Sequence, residues 1–426
     1  MKSMFHAPGL AALLLTATLG ILPLHAAEDV TDQSRLPLED LQLFVQIFDQ
    51  IRTAYVEEVD DATLFDNAIE GLLGGLDPHS SYLDESDFDE LQESTTGEFG
   101  GLGIEVGMEG GLIRVIAPID DTPAYRAGIQ TGDLIIKLDD SAVQGMNLRE
   151  AIELMRGTKG SSIVLTVLRE GVDAPLEFTI VRDIIKVQSV RSEMLEDGVG
   201  YVRIAQFQTD TGSQFRAALE KMASTEEPLR GLVIDLRNNP GGLLPAAIEA
   251  ADALLDDGLI VYTEGRIPSA NIKFRATPGD VVADVPVVVI INNGSASAAE
   301  ILAGALQDHQ RAIVIGTQSF GKGSVQTVLP LKDGKAIKLT TARYFTPSGN
   351  SIQAQGIKPD IVVAPAQIKV LEEDKGISEA NLAGHLKNGK DKGKDAKRKS
   401  AKSTLADDNQ LYEAVNILKG IAIFRG

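Results

Sequence analysis

Residues 231–255 read GLVIDLRNNPGGLLPAAIEAADALL: an apolar run closing on Asp235, a polar turn with Pro240 and two glycines, then a helical pattern over 244–255. The unit recurs on both sides. GYVRIAQF (200–207) precedes a helical pattern over 211–224, and VPVVVIIN (285–292) precedes one over 297–308, with AIVIG (312–316) beyond it. Apolar strands alternating with helices at this spacing predict stacked β–α units around a buried sheet, spanning residues 186–365.

Outward from that core the character changes. Residues 97–185 hold short alternating strands (GIEVGM, LIRVIAPI, DLIIKLD, SIVLTVLRE, LEFTIVRD) around two short helical patterns, 124–129 and 148–155, and read as a compact domain of their own. The N-terminal helical segment, 27–96, is strongly acidic: from Ala27 to Glu98 there are 20 acidic residues against two basic ones. There Leu41, Phe44, Val45, Phe48, Ile51 and Tyr55 fall at helical spacing, and a second helix is expected over 67–76, before DPHSSYL. At the N-terminus, Lys2 followed by the apolar run 9–24 and small residues at Ala26 and Ala27 reads as a signal peptide over 1–26, more so than as a retained anchor. Residues 366–405 include KNGKDKGKDAKRKSAK, eight basic against two acidic, and read as a flexible basic linker. Residues 406–426 read as an amphipathic helix with Leu411, Ala414, Val415, Leu418 and Ile421 on one stripe. Docking on the same body and joining two subunits both satisfy that stripe.

Composition narrows the chemistry. The chain has 426 residues and a formal charge of −21, which argues against a nucleic-acid partner. Without cysteine there is no disulfide, thiol nucleophile, Cys-ligated zinc or lipid-modified N-terminus. No metal or other cofactor is expected.

Three polar segments end the buried strands: DLRNNPGGLL (235–244), NNGSASAAE (292–300) and GTQSFGKGSVQ (316–326). Ser297 with Glu300 fits a helix capping box, the ordinary fate of a serine at that position. It also sits on a tight strand-to-helix turn, where the N–H of Ala298 and the helix dipole can stabilise an oxyanion. Among the five histidines no base is well placed. His309 lies about 18 Å along the helix, His79 falls in the N-terminal acidic helical segment and His385 in the basic linker. Lys322, between Gly321 and Gly323, is the other candidate. In water about one lysine in 2,500 is neutral at pH 7, so it needs burial to serve. If 322–326 is extended, Gln326 shares a face with Lys322 and its amide can orient the amine. GTQSFGKG approaches a phosphate-binding loop but has Gly323 in place of Ser/Thr and runs into a strand, so nucleotide binding is rejected.

Taken together, GLLGGLDPHSSYL, GEFGGLGIEVG, DLRNNPGG, GSASAAE and FGKGSVQ, in that order, resemble the carboxyl-terminal processing peptidases, tail-specific serine–lysine proteases. The resemblance runs from about Leu38 to Pro365. It implies a mixed α/β chain: a crotonase-like ββα protease core, an inserted PDZ domain and an N-terminal helical segment. It implies Ser297 as nucleophile, Lys322 as general base and Gln326 as its positioning partner, with an oxyanion hole from Ala298 and either Gly241 or Gly242. Ser295 is the rival nucleophile. In the PDZ domain, Gly100, Gly101, Leu102, Gly103 and Ile104 would form the loop and strand that grip a peptide terminus. The implied function is an exported, periplasmic, ATP-independent endopeptidase that captures the exposed C-termini of envelope proteins. The resemblance further implies a homo-oligomer, with a lipoprotein adaptor as a candidate partner. The competing reading is a PDZ-based peptide-binding scaffold with a silent or partner-activated site, against which the complete serine–lysine set argues.

Overall fold

A computed structural model describes residues 37–119, 121–367 and 408–425. The signal-peptide reading and the basic stretch 387–402 lie outside these residues. The chain divides into two units, residues 1–69 and 70–426.

In the first unit, helix Leu38–Ala54 is followed by helix Asp61–Gly74, which continues into the second unit. The rings of Phe48 and Phe65 meet with centroids 4.6 Å apart. Helix Leu38–Ala54 buries none of its residues, so Leu41, Phe44, Val45 and Ile51 stay exposed.

The second unit is built on a six-stranded sheet. Its order is Val190–Met194, Val199–Ile204, Gly231–Asp235, Val287–Ile291, Ala312–Gly316, Ile361–Val362, parallel except for the first pair. Both central strands are buried throughout, because side chains alternate between two covered faces. On one face Ile234, Val289 and Val314 pack with helices Thr211–Ala223, Leu244–Asp252 and Ala298–Asp308. On the other, Val233, Val288, Ile290 and Ile315 meet Leu411, Ala414, Val415 and Leu418 of the terminal helix Asn409–Arg425. That helix therefore covers the sheet of its own chain, one of the two outcomes its apolar stripe allows. Its start is fastened beside residue 366: Ala366 N–H donates to Asn409 Oδ1 (2.7 Å) and Asn409 Nδ2 donates to the Ala364 carbonyl (2.8 Å).

A second sheet joins Ser81–Leu83, Ala336–Phe345, Leu259–Gly265 and Lys273–Arg275, with Ser324–Pro330 also paired to Ala336–Phe345. Residues 104–181 form a smaller antiparallel sheet with helices Pro123–Ala127 and Leu148–Met155 over a core that includes Ile113, Val115, Ile135 and Leu165. The chain enters and leaves it through the strand pair Glu98–Gly101 and Asp183–Lys186. Helix Glu85–Thr96 has almost no apolar stripe and escapes the sequence reading; Asp84 caps it by accepting Asp87 N–H, and Gly97 ends it at φ 71°. No helix among the described residues is long and apolar enough to cross a membrane.

Leu418 packs so closely on the sheet that a Cβ at Gly231 would lie 3.0 Å from it. Leu418→Ala is expected to cost about 2–5 kcal/mol of unfolding free energy, read by chemical denaturation.

Candidate active site

Ser297 stands between strand Val287–Ile291 and helix Ala298–Asp308 with φ 54° and ψ −113°, a strained backbone for a residue other than glycine. Its N–H donates to Glu300 Oε2 (2.7 Å), as the capping pattern anticipates, while its Oγ lies 3.4 Å from the Tyr344 hydroxyl. Burial holds the Tyr344 phenol above its ordinary pKa, so that partner is neutral. Ser295 differs. It is fully buried, its Oγ donates to the Leu236 carbonyl (2.8 Å) and it accepts Asn292 N–H (3.0 Å). That hydroxyl is committed to holding two loops together, whereas Ser297 Oγ has only the Tyr344 hydroxyl as a partner among the described residues.

The loop after Asp235 is riveted to the Ser297 turn. Asn238 and Asn292 exchange two hydrogen bonds of 2.9 Å, and Ala296 N–H donates to the Asn239 carbonyl (2.9 Å). Buried Asn239 donates from Nδ2 to the Ile204 carbonyl and accepts Gly241 N–H at Oδ1, each at 2.9 Å. Gly241 N–H is thus occupied, and Gly242 supplies the free N–H of the pair among the described residues. Ala298 N–H, first in its helix, is likewise without an acceptor there. Neither glycine tolerates a side chain. A Cβ at Gly241 would lie 2.8 Å from Ser297 Cβ, and one at Gly242 would lie 2.1 Å from the Phe207 carbonyl.

Lys322 is tied to the same turn by a residue that the sequence marks only as a cap. The fully buried Glu300 carboxylate accepts Ser297 N–H and Lys322 N–H (2.9 Å) at Oε2, and Gly321 N–H (2.6 Å) and Ser319 Oγ–H (2.5 Å) at Oε1. The pattern S-x-x-E carries the signal for the cap, but not for the reach of its far oxygen to another loop.

The Lys322 side chain is half-buried. Burial first, and then the like charge of Lys338, lower its pKa. Among the described residues its Nζ has no hydrogen-bond or ion-pair partner, and no hydrogen bond joins it to Ser297 Oγ. Gln326 departs from expectation. A bulge at Val325/Gln326 breaks the extended run over 322–326, and its Nε2 donates to Ser324 Oγ (2.9 Å) and Thr340 Oγ1 (3.4 Å) instead. His79 follows helix Asp61–Gly74, within the N-terminal segment where the sequence puts it. The segment Asp77–Leu83 lies on strand Ala336–Phe345, with Thr340 donating from N–H to Ser80 Oγ (3.1 Å) and from Oγ1 to Asp77 (3.0 Å). Burial lowers the His79 pKa, and the charge of Lys322 lowers it further, favouring the neutral imidazole.

In the smaller domain, edge strand Ile104–Glu109 and helix Leu148–Met155 flank a 230 Å³ groove. Leu102 and Gly103 form its loop, and neither N–H has an acceptor among the described residues. Gly100 and Gly101 lie instead in the strand paired with Ile184 and Asp183. Gly100 is there because a Cβ would meet the Gly157 carbonyl at 2.1 Å. Beside the groove, Arg156 donates to Glu93 (2.6 Å) and lies 5.1 Å from the Phe99 ring centroid, its Nε buried without a partner.

A buried serine turn and a lysine loop in an α/β core, with a grooved antiparallel domain in the same chain, are the features of a serine peptidase with a PDZ domain. Residues 198–363 match peptidase family S41, residues 114–169 a PDZ domain, and residues 21–87 the N-terminal domain of the activating protease CtpB. A carboxy-terminal-processing protease of Bartonella bacilliformis is 48% identical over 96% of this chain and 94% of its own. A carboxyl-terminal-processing protease of Synechocystis is 39% identical over 72% of each. The photosystem II D1 C-terminal processing protease is 30% identical, covering 76% of this chain and 92% of its own, at a TM-score of 0.46. The chain belongs to the carboxy-terminal processing proteases of peptidase family S41.

Two substitutions separate the serines. Ser295→Ala is expected to keep labelling by a fluorophosphonate while losing about 1–3 kcal/mol of stability; Ser297→Ala is expected to lose labelling and keep its fold. Glu300→Ala strands four donors in a buried site and is expected to lose both, read by labelling and denaturation together.

Proposed function

We propose that this protein is an exported endopeptidase that cuts unstructured chain through Ser297 and Lys322. The neutral Lys322 amine takes the proton from Ser297 Oγ as Oγ attacks the substrate carbonyl. The N–H groups of Gly242 and Ala298 hold the oxyanion. The lysine ammonium then gives its proton to the leaving amine, and water, activated by the same amine, hydrolyses the acyl-enzyme. The observation that carries this reading is the Glu300 carboxylate, which ties the strained Ser297 turn to a half-buried lysine without a counter-charge.

The geometry described is a resting one. Ser297 Oγ faces Tyr344, and Lys322 must approach it before proton transfer. Such a site suits an enzyme switched on by a partner or by movement of the PDZ domain as its groove takes a protein C-terminus. The charged start and apolar run of the N-terminus support export to the periplasm. Envelope proteins, brought by a lipoprotein adaptor, are the proposed substrates. The exposed apolar residues of helix Leu38–Ala54 suit a homo-oligomer contact.

Ser297→Ala and Lys322→Ala are each expected to abolish cleavage of unfolded casein at neutral pH; wild-type turnover by either variant refutes the dyad. Because the base is the uncharged amine, kcat/KM should rise with pH through a pKa below the 10.5 of an ordinary lysine. Lys338→Met removes the neighbouring positive charge, raises that pKa and moves the limb to higher pH. Phe44→Glu is expected to lower the assembly mass measured by light scattering.

A further inference from the structure

The strand that leads into the oxyanion loop ends on an almost completely buried acid. Asp235 is 1% exposed and accepts Arg237 N–H (3.0 Å), Arg237 Nε (2.9 Å) and Nη2 (2.6 Å), and the Tyr201 hydroxyl (2.8 Å). The other edge of the same guanidinium faces the terminal helix. Arg237 Nη1 donates to Asp408 Oδ1 (2.9 Å) and Gln410 Oε1 (3.2 Å), and Nη2 donates to Asp408 Oδ2 (2.7 Å). Arg237 is thus a planar fork with a carboxylate on each side, a geometry that lysine cannot reproduce. Two residues further on stands Asn239, whose side chain takes Gly241 N–H and leaves Gly242 N–H free. Asp408 also caps the terminal helix, its Oδ1 accepting Leu411 N–H (3.1 Å).

We propose that the terminal helix positions the oxyanion loop, with Asp408 clamping Arg237 and Arg237 fixing the course of residues 235–242. This rests on the protease reading above. The helix is more than a cover for the sheet, because its first turn closes an ion-pair chain that begins on the back of the sheet and ends two residues from the loop's central rivet. Arg237 and Asp408 are positioning residues; neither touches the reacting atoms.

Asp408→Asn isolates the clamp, since asparagine also caps helices well but presents no charge to Arg237, and the apolar seat of the helix is untouched. Expected are a kcat on unfolded casein about tenfold lower with KM nearly unchanged, faster amide exchange over residues 237–242, and only a small fall in melting temperature, too small to account for the loss of kcat. Asp408→Glu, which keeps the charge, should restore most of kcat, and Arg237→Lys should reproduce the loss. The proposal is overturned if Asp408→Asn keeps wild-type kcat and wild-type exchange. It is equally overturned if the losses in both Asp408→Asn and Arg237→Lys simply follow a fall in melting temperature. Should Ser297→Ala keep wild-type turnover, the protease reading fails, while the exchange measurement still reports on the clamp.

Discussion

One buried carboxylate organises the site. Glu300 has no exposure to solvent and four donors around it, three of them backbone N–H groups from two separate segments. Burying a charge this deeply is tolerated only when every lone pair is satisfied, so the carboxylate and the two loops specify each other. The Ser297 turn can hold an unusual backbone, and the glycine-flanked Lys322 can sit against it, because both are fastened to the same pair of oxygens. Neither loop has regular structure to hold it there otherwise.

The remaining architecture presents that joint correctly. Two central strands buried on both faces deliver the Asp235 and Asn292 loops side by side, and side-chain amides then cross-link them. The second sheet brings Tyr344 to the serine and carries the segment Asp77–Leu83 along strand Ala336–Phe345. The peptide groove stands in a separate small sheet, entered and left through one strand pair, with a core of its own. Serine peptidase chemistry and the peptide groove are thereby divided between two separately packed parts of one chain.

Much of this was legible in the sequence because the signals were periodic. The alternation around 231–255 marks strands and helices near their observed bounds, with helices expected over 211–224 and 148–155 observed as Thr211–Ala223 and Leu148–Met155. Contacts between distant segments were not legible. Nothing in GSASAAE says that Glu300 reaches Gly321, and nothing in DPHSSYL says that His79 comes within electrostatic range of Lys322. The bulge that turns Gln326 toward Ser324 arises from pairing with a strand ten residues later in the chain. Helix Glu85–Thr96 is hidden because its acidic residues give no apolar period, and its cap and αL terminator are the only local signals. Sequence alone left Gly241 and Gly242 undivided, because which of the two N–H groups is engaged depends on the reach of the Asn239 side chain.

The hydrogen bonds between Asn409 and residues 364 and 366 bring the two ends of the intervening stretch together at one point on the surface. Edge strand Ile361–Val362 leads into this point and helix Asn409–Arg425 starts from it, so the last strand of the sheet and the helix on its face share one polar fastening. Asn409 thus serves as a splice between sheet edge and covering helix, and whatever shifts one of them must be felt at the other.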